Sequence, residues 1–356
     1  MLRRSALAIA LAPLFAHSSP ILAADTTLSD IVVTASRTEQ KVSDALGDIS
    51  VITQDQIQKA GQTTLVQLLA MQPGIQIAQN GGTGKSSDVY IRGANATHTL
   101  VLIDGLRVSS ATTGTTALEN IPLDQIERVE ILRGPASSLY GADAIGGVIQ
   151  IFTKSGKGQP RLNASVGLGT YGSSSASAGI AGRVENTSFS VQAGASSTNG
   201  VSAIANKTLA TYNPDDDGYN NRNVSLKLAQ HFSDNHEFGI QGWLNEGTNH
   251  YDGGSRSPTA NPTNRFDYYG NRRQNLISVY SKNQFTDNWL SNLSVGQSED
   301  NLESFSPNTA NTLKVRSLFK TTQTQYAWQN NLTTIAGLFS LAAERREQKV
   351  EGTTTF

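Results

Sequence analysis

IPLDQIERVEILRGPASSLYGADAIGGVIQIFT, residues 121–153, is the stretch whose reading decides the fold. From Ile126 to Leu132 apolar and charged residues alternate, with Val129 and Ile131 on one face and Arg128 and Glu130 on the other, the period-two pattern of a half-buried strand. Gly134-Pro135 ends that strand, since proline has no amide hydrogen to give to a sheet. Gly141, Gly146 and Gly147 supply backbone freedom for a tight path, and Val148 to Phe152 resume a β-branched, apolar run. Strand, turn, strand is the expectation, with no long helix.

Working backwards, Ile49 to Ile52 reads as a short strand. Thr53-Gln54-Asp55-Gln56 has the spacing of a helix capping box, and Gly61 is a suitable stop. A second helix begins near Thr64, places Leu65, Leu68 and Leu69 on one core-facing side, and cannot continue through Pro73.

Three segments, LVQLLAMQPGIQI (65–77), VYIRGANATHTLVLIDGLRV (89–108) and ERVEILRGPASSLYGADAIGGVIQI (127–151), resemble in order and spacing the plug domain of TonB-dependent outer-membrane receptors. Within that family the likeness is greatest to receptors for cobalamin (vitamin B12). The resemblance implies a mixed α/β plug domain (46–155) followed by an antiparallel transmembrane β-barrel. It implies transport and not enzymatic chemistry, and a place in the cell outer membrane. Just ahead lies DTTLSDIVVTASRTEQ (25–40), in the expected TonB-box segment 25–45. Asp30, Ile31, Val32, Val33, Thr34 and Ala35 resemble a TonB box, a peptide that adds as a strand to the inner-membrane partner TonB. Without its position, the same segment reads as an ordinary first strand.

Composition agrees with export. Arg3 and Arg4, an apolar Ala6 to Ala16 core and a small-residue end at Ala23-Ala24 make residues 1–24 a signal peptide. Without it, 26 basic residues face 29 acidic ones, a balance that points to no nucleic-acid partner. There is no Cys, hence no disulfide framework or thiolate metal site. Beyond SGKGQP (155–160) the chain becomes a run of alternating segments: 162–169, 175–184, 187–196, 223–232, 236–244, 274–285, 289–297, 322–332 and 336–345. About nine such strands over 160–356, joined by alternately short and long connections, suit a lipid-bound barrel. Periodicity alone leaves a water-soluble β-sandwich open. Plugged transporters close with about 22 strands, so the barrel is expected to be incomplete and the chain truncated. Lys349 to Thr355 lacks the apolar alternation that precedes the final aromatic residue of a closing barrel strand.

Two glycine motifs invite other chemistry. Gly84-Lys85-Ser86 matches the end of a phosphate-binding loop, yet Gln79 stands where the first glycine belongs and a strand-like DVYIRG follows. Gly167-Leu168-Gly169-Thr170-Tyr171-Gly172 fits a dinucleotide fingerprint but precedes Ser/Ala/Gly alternation and no helix. Asn213, Asp215 and Asp217 recur every second residue ahead of Gly218, a spacing of oxygens suited to Ca²⁺ and equally to a solvated acidic turn. The resemblance implies calcium held by Asn213, Asp215, Asp217, Tyr251, Asp252 and Asp267; a further acidic ligand it implies near residue 201 is replaced by Val201. It also implies cobalamin resting on plug apices at Ser86, Asp88, Asn95, Thr113 and Gly114, with a ferric siderophore or haem as the alternative cargo. A transport-incompetent secreted fragment is the alternative from another class.

Overall fold

The computed structural model describes residues 31–32, 40–45, 47–204, 206, 215–252, 268–307 and 314–355. Its first body is a five-stranded mixed sheet with the order β3 (Asp48–Thr53), β8 (Ile126–Arg133), β9 (Gly147–Thr153), β6 (Thr99–Ile103) and β7 (Leu106–Arg107). Only the β6–β9 pairing is parallel. A separate hairpin, β4 (Ile75–Gln79) with β5 (Ser87–Ile91), carries the apex loop 80–86. A ribbon of β1 (Ile31–Val32) and β2 (Gln40–Lys41) precedes the sheet.

Helix α1 (Gln54–Lys59) starts at the expected capping box: Thr53 Oγ1 accepts from the Gln56 amide at 3.3 Å, and Gln56 Oε1 accepts from the Thr53 amide at 2.9 Å. Helix α2 (Leu65–Ala70) buries Leu65, Leu68 and Leu69 against the sheet. One turn of helix, α3 (Ser137–Tyr140), lies between β8 and β9. Strand β8 departs from the half-buried reading, because both its faces are covered. Glu130 is fully buried, and its Oε1 accepts from Arg128 Nε at 2.9 Å, while the Arg128 guanidinium lies 3.7 Å above the Phe152 ring.

Nine antiparallel strands follow in sequence order: β10 (Arg161–Leu168), β11 (Ser174–Val184), β12 (Thr187–Thr198), β13 (Tyr219–Ser233), β14 (His236–Tyr251), β15 (Tyr268–Thr286), β16 (Trp289–Pro307), β17 (Lys314–Thr334) and β18 (Gly337–Thr355). Two-residue turns join β11–β12, β13–β14, β15–β16 and β17–β18 at one end. All but β10 reach further than the apolar alternation predicts, and residues 349–355 lie in β18. The added lengths, such as NEGTNHY (245–251), carry no apolar face, so alternation is silent there.

Burial across this sheet is inverted relative to a water-soluble protein. On β13 the apolar Val224, Leu226 and Leu228 are 44–46% exposed, whereas Asn223 and Ser225 are 6% and 3% exposed. Ile277, Leu293, Trp328 and Phe339 continue the outward apolar surface, and Gln241, Asn245, Gln274, Ser298 and Gln323 the inward polar one. A β-sandwich buries its apolar face, so that alternative is excluded; an apolar exterior is what hydrocarbon requires. Among the described residues β10 and β18 are each paired on one side only, which leaves the sheet open.

The mixed sheet sits against the concave polar face as a plug. Lys227 Nζ donates to Asp104 Oδ1 at 2.6 Å and to the Thr153 carbonyl at 2.9 Å, while Gln241 donates to the Asp104 carbonyl. Further along, Ser298 Oγ donates to the Arg107 carbonyl and Thr321 Oγ1 accepts from the Ala111 amide. Apolar contacts interrupt this polar seat: Trp243 and Leu276 of the wall belong to one apolar cluster with Leu106 and the plug core, and a Cβ at Gly296 would overlap Leu106.

Asp104 is 5% exposed and also accepts from the Thr153 amide and hydroxyl. Replacing its cation by Lys227→Met leaves a buried carboxylate without its counter-ion, a change that costs about 3 kcal/mol. The expected outcome is earlier protease cleavage within the plug of the membrane-embedded variant, with an unaltered wall.

Candidate functional site

The apices of the plug form the candidate binding face. Ser86, Asn95, Thr113 and Gly114 are exposed and Asp88 is half-buried. Gly114 lies against Thr97, close enough that a Cβ would overlap its methyl, so the 110–115 loop and the Asn95–His98 turn form one surface. Loop 110–115 closes on itself through the Gly114 amide to the Ser110 carbonyl at 2.8 Å. Asp88 and Ser86 belong to the hairpin β4–β5, which is seated elsewhere on the wall, at the roots of β13 and β14. The side chains offered are short hydroxyls, an amide and one carboxylate, suited to hydrogen bonding with a large polar ligand.

Seating of the 80–86 loop depends on Gly84 and Lys85. At Gly84 φ is +78°, and any Cβ would overlap the Tyr219 ring at the start of β13. Lys85 is 3% exposed, and its ammonium donates to the His250 carbonyl and, at 3.5 Å, to that of Gly218. Burial lowers the Lys85 pKa, and the charges of Asp217 and Asp252 oppose the shift. The phosphate-loop lookalike is thus an anchor. The dinucleotide lookalike is the β10–β11 hairpin turn, with Gly169 donating to the Ser173 carbonyl.

Of the candidate calcium ligands, Asn213 and Asp267 lie outside the described residues, as do Asp30, Val33, Thr34 and Ala35 of the candidate TonB box. Asp217 Oδ2 accepts from the Ala203 amide at 2.7 Å, and Asp252 Oδ2 accepts from Ser202 Oγ at 3.3 Å. The Tyr251 ring packs 5.8 Å from that of Tyr268. Asp215 Oδ1 is buried with no hydrogen-bond partner among the described residues. Also among the described residues, no three His, Cys, Asp or Glu side chains converge as a metal site. Among the described residues the Gly218 and His250 carbonyls face the Lys85 ammonium, and the described donors do not converge on a calcium ion, which takes six to eight oxygens.

The site residue that sequence reasoning missed is Glu119. Its Oε2 is buried without a hydrogen-bond partner among the described residues, near the ion pair that Arg272 makes with Asp300 through two 2.9 Å bonds. Tyr219 and Asn221 of β13 bind neighbouring Asn120, through Tyr219 OH to Asn120 Oδ1 at 2.7 Å and Asn221 Nδ2 to the Asn120 carbonyl at 3.1 Å. Nothing in TALENI (116–121) marks these residues as an interface until wall and plug are seen together.

Comparison with known proteins agrees with this geometry. Residues 41–148 match the TonB-dependent Receptor Plug Domain. Over 339 residues, 95% of the chain, it is 32% identical to a vitamin B12 transporter of Photobacterium profundum. The chain carries a TonB-dependent receptor plug domain. TonB-dependent receptors are outer-membrane β-barrel proteins with transport and not enzymatic roles. A Vibrio cholerae vitamin B12 transporter is 42% identical over 183 residues, 51% of the chain and 30% of that protein. This receptor chain spans 53% of the Photobacterium protein, about half its length. Its fold matches the ferric enterobactin receptor of Pseudomonas aeruginosa with a TM-score of 0.71 at 22% identity, covering 90% of this chain and 51% of that one. The ferric yersiniabactin uptake receptor of Yersinia pestis gives 0.69 at 19% identity, over 92% and 52%.

Burial pushes the Glu119 carboxyl up to about 7, against the lowering pull of Arg272. The folded receptor therefore holds this proton more tightly than the unfolded chain does. The resulting stability is complete below the ordinary glutamate value and is lost as pH rises through about 7. Its size is on the order of 3 kcal/mol. Thermal unfolding of the membrane-embedded receptor is expected to shift downward between about pH 5 and about pH 8, and Glu119→Gln to flatten that slope.

Proposed function

We propose that this receptor takes up cobalamin (vitamin B12) across the outer membrane by TonB-dependent transport. The observation that carries the substrate is the 32% identity to a vitamin B12 transporter sustained along 95% of the chain, through both plug and wall. The likeness to ferric receptors, at 22% identity and below, concerns the fold and does not move the substrate. Exposed Ser86, Asn95, Thr113 and Gly114 with half-buried Asp88 are the proposed contacts, and hydroxyl and amide groups suit a large amide-rich ligand.

Residues 1–24 act as the export signal, and the apolar outer surface of β11–β18 is covered by lipid. Asp30 to Ala35 is the proposed docking segment for TonB, added as a strand to that partner's sheet. The extended backbone of Ile31–Val32 supports this reading. In the structure it pairs with Gln40–Lys41, over two residues only, and a short pairing of that kind is readily exchanged for another.

Outer membranes bearing the receptor are expected to retain labelled cobalamin and not a ferric siderophore. Deleting residues 30–35 is expected to abolish energised cobalamin uptake by whole cells while leaving that retention intact. Retention of the ferric chelate alone would move the substrate to the iron-carrying branch of the family.

A further inference from the structure

The roots of the β12–β13 and β14–β15 connections meet the plug at one cluster of oxygens: the carbonyls of Gly218 and His250 with the carboxylates of Asp217 and Asp252. The sequence pattern suggests a divalent ion there, and the structure puts Lys85 in its place. We propose that the Lys85 ammonium is a tethered substitute for a divalent cation, fastening the plug apex to both connections so that their seating requires no metal ion.

Several features support this assignment. The ammonium has three N–H donors and a positive charge: it bonds the Gly218 and His250 carbonyls and lies in the field of the Asp217 and Asp252 carboxylates. Unlike a free ion, it brings no loss of translational freedom on binding, because β5 and Gly84 already fix its stem. Gly84 lets the backbone approach Tyr219 without a side chain in the way, which is what brings Lys85 within reach of the His250 carbonyl. The Lys85 carbonyl in turn accepts from Ser87 Oγ at 2.9 Å, holding the turn closed. The two carboxylates are tied to each other by adjacent residues, Ala203 bonding Asp217 and Ser202 bonding Asp252. One cation therefore joins three chain segments, and the adjacent Ser86 is carried in position with it. The unpartnered Asp215 oxygen is the remaining foothold for an ion, so the test measures calcium directly. The inference does not depend on which compound is transported.

The experiment is hydrogen exchange on the receptor in outer-membrane vesicles, following residues 79–87, 199–204, 215–220 and 248–252 with added Ca²⁺ or with chelator. The wild-type rates are expected to coincide in the two conditions. With Lys85→Met in chelator, exchange in all four segments is expected to rise roughly tenfold or more, the factor for losing a charged hydrogen bond. Lys85→Arg is expected to keep most of the protection. Calcium-induced slowing of the wild type, or Lys85→Met exchanging like wild type in chelator, would overturn the proposal. Equilibrium dialysis with Ca²⁺ alone decides independently of whether the methionine variant assembles. No saturable uptake that Asp217→Asn abolishes is the expected result, and such uptake in the wild type overturns it.

Discussion

A sheet whose inward side is polar and buried needs partners for that side, and this need governs the whole molecule. Asn, Gln, Ser and Lys side chains on β13 to β17 point away from the hydrocarbon, where an unpaired polar group costs several kcal/mol. Some are satisfied by the plug's backbone, where Thr153, Asp104, Arg107 and Ser109 present carbonyls to the wall, while Asn245, Gln274 and Ser278 each keep a buried polar atom without a partner among the described residues. The edge-rich, loop-rich plug therefore has the right chemistry to fill this space, where a hydrophobic core would not. Apolar packing inside the plug keeps it one body, and polar pairing outside it keeps that body in place.

Much of this was legible from residues. The capping box at Thr53–Gln56 and the apolar face of α2 are local, so the chain announces them. All nine wall strands show themselves through their lipid-facing apolar residues, such as Val224, Leu226 and Leu228, because lipid selects for alternation as firmly as a core does. The signal disappears where a strand leaves the bilayer. Residues 298–307 of β16 and 346–355 of β18 are paired throughout and almost wholly polar, and there only cross-strand register makes a strand.

The candidate site was less legible, for a different reason. Exposed apices can be placed from turn residues, but what a buried side chain meets depends on distant segments. Lys85 lies 165 residues from His250, and Glu119 acquires its character from burial against the wall, beside Arg272 and Asp300. The Gly84-Lys85-Ser86 triplet was informative in a way its spacing concealed. Its glycine permits close approach to an aromatic ring in place of a phosphate, and its lysine seeks carbonyl oxygens in place of phosphoryl ones.

The leading ribbon has a geometric corollary. Ile31–Val32 is joined to the molecule by two residues of pairing and lies outside the five-stranded sheet, which begins at Asp48. Once that short ribbon is peeled, the 17 residues from Ile31 to Gly47 become a leash that pays out to about 55 Å before tension arrives at β3. Any pull on the leading end is taken up first as slack, and the sheet bears load only when the leash is taut.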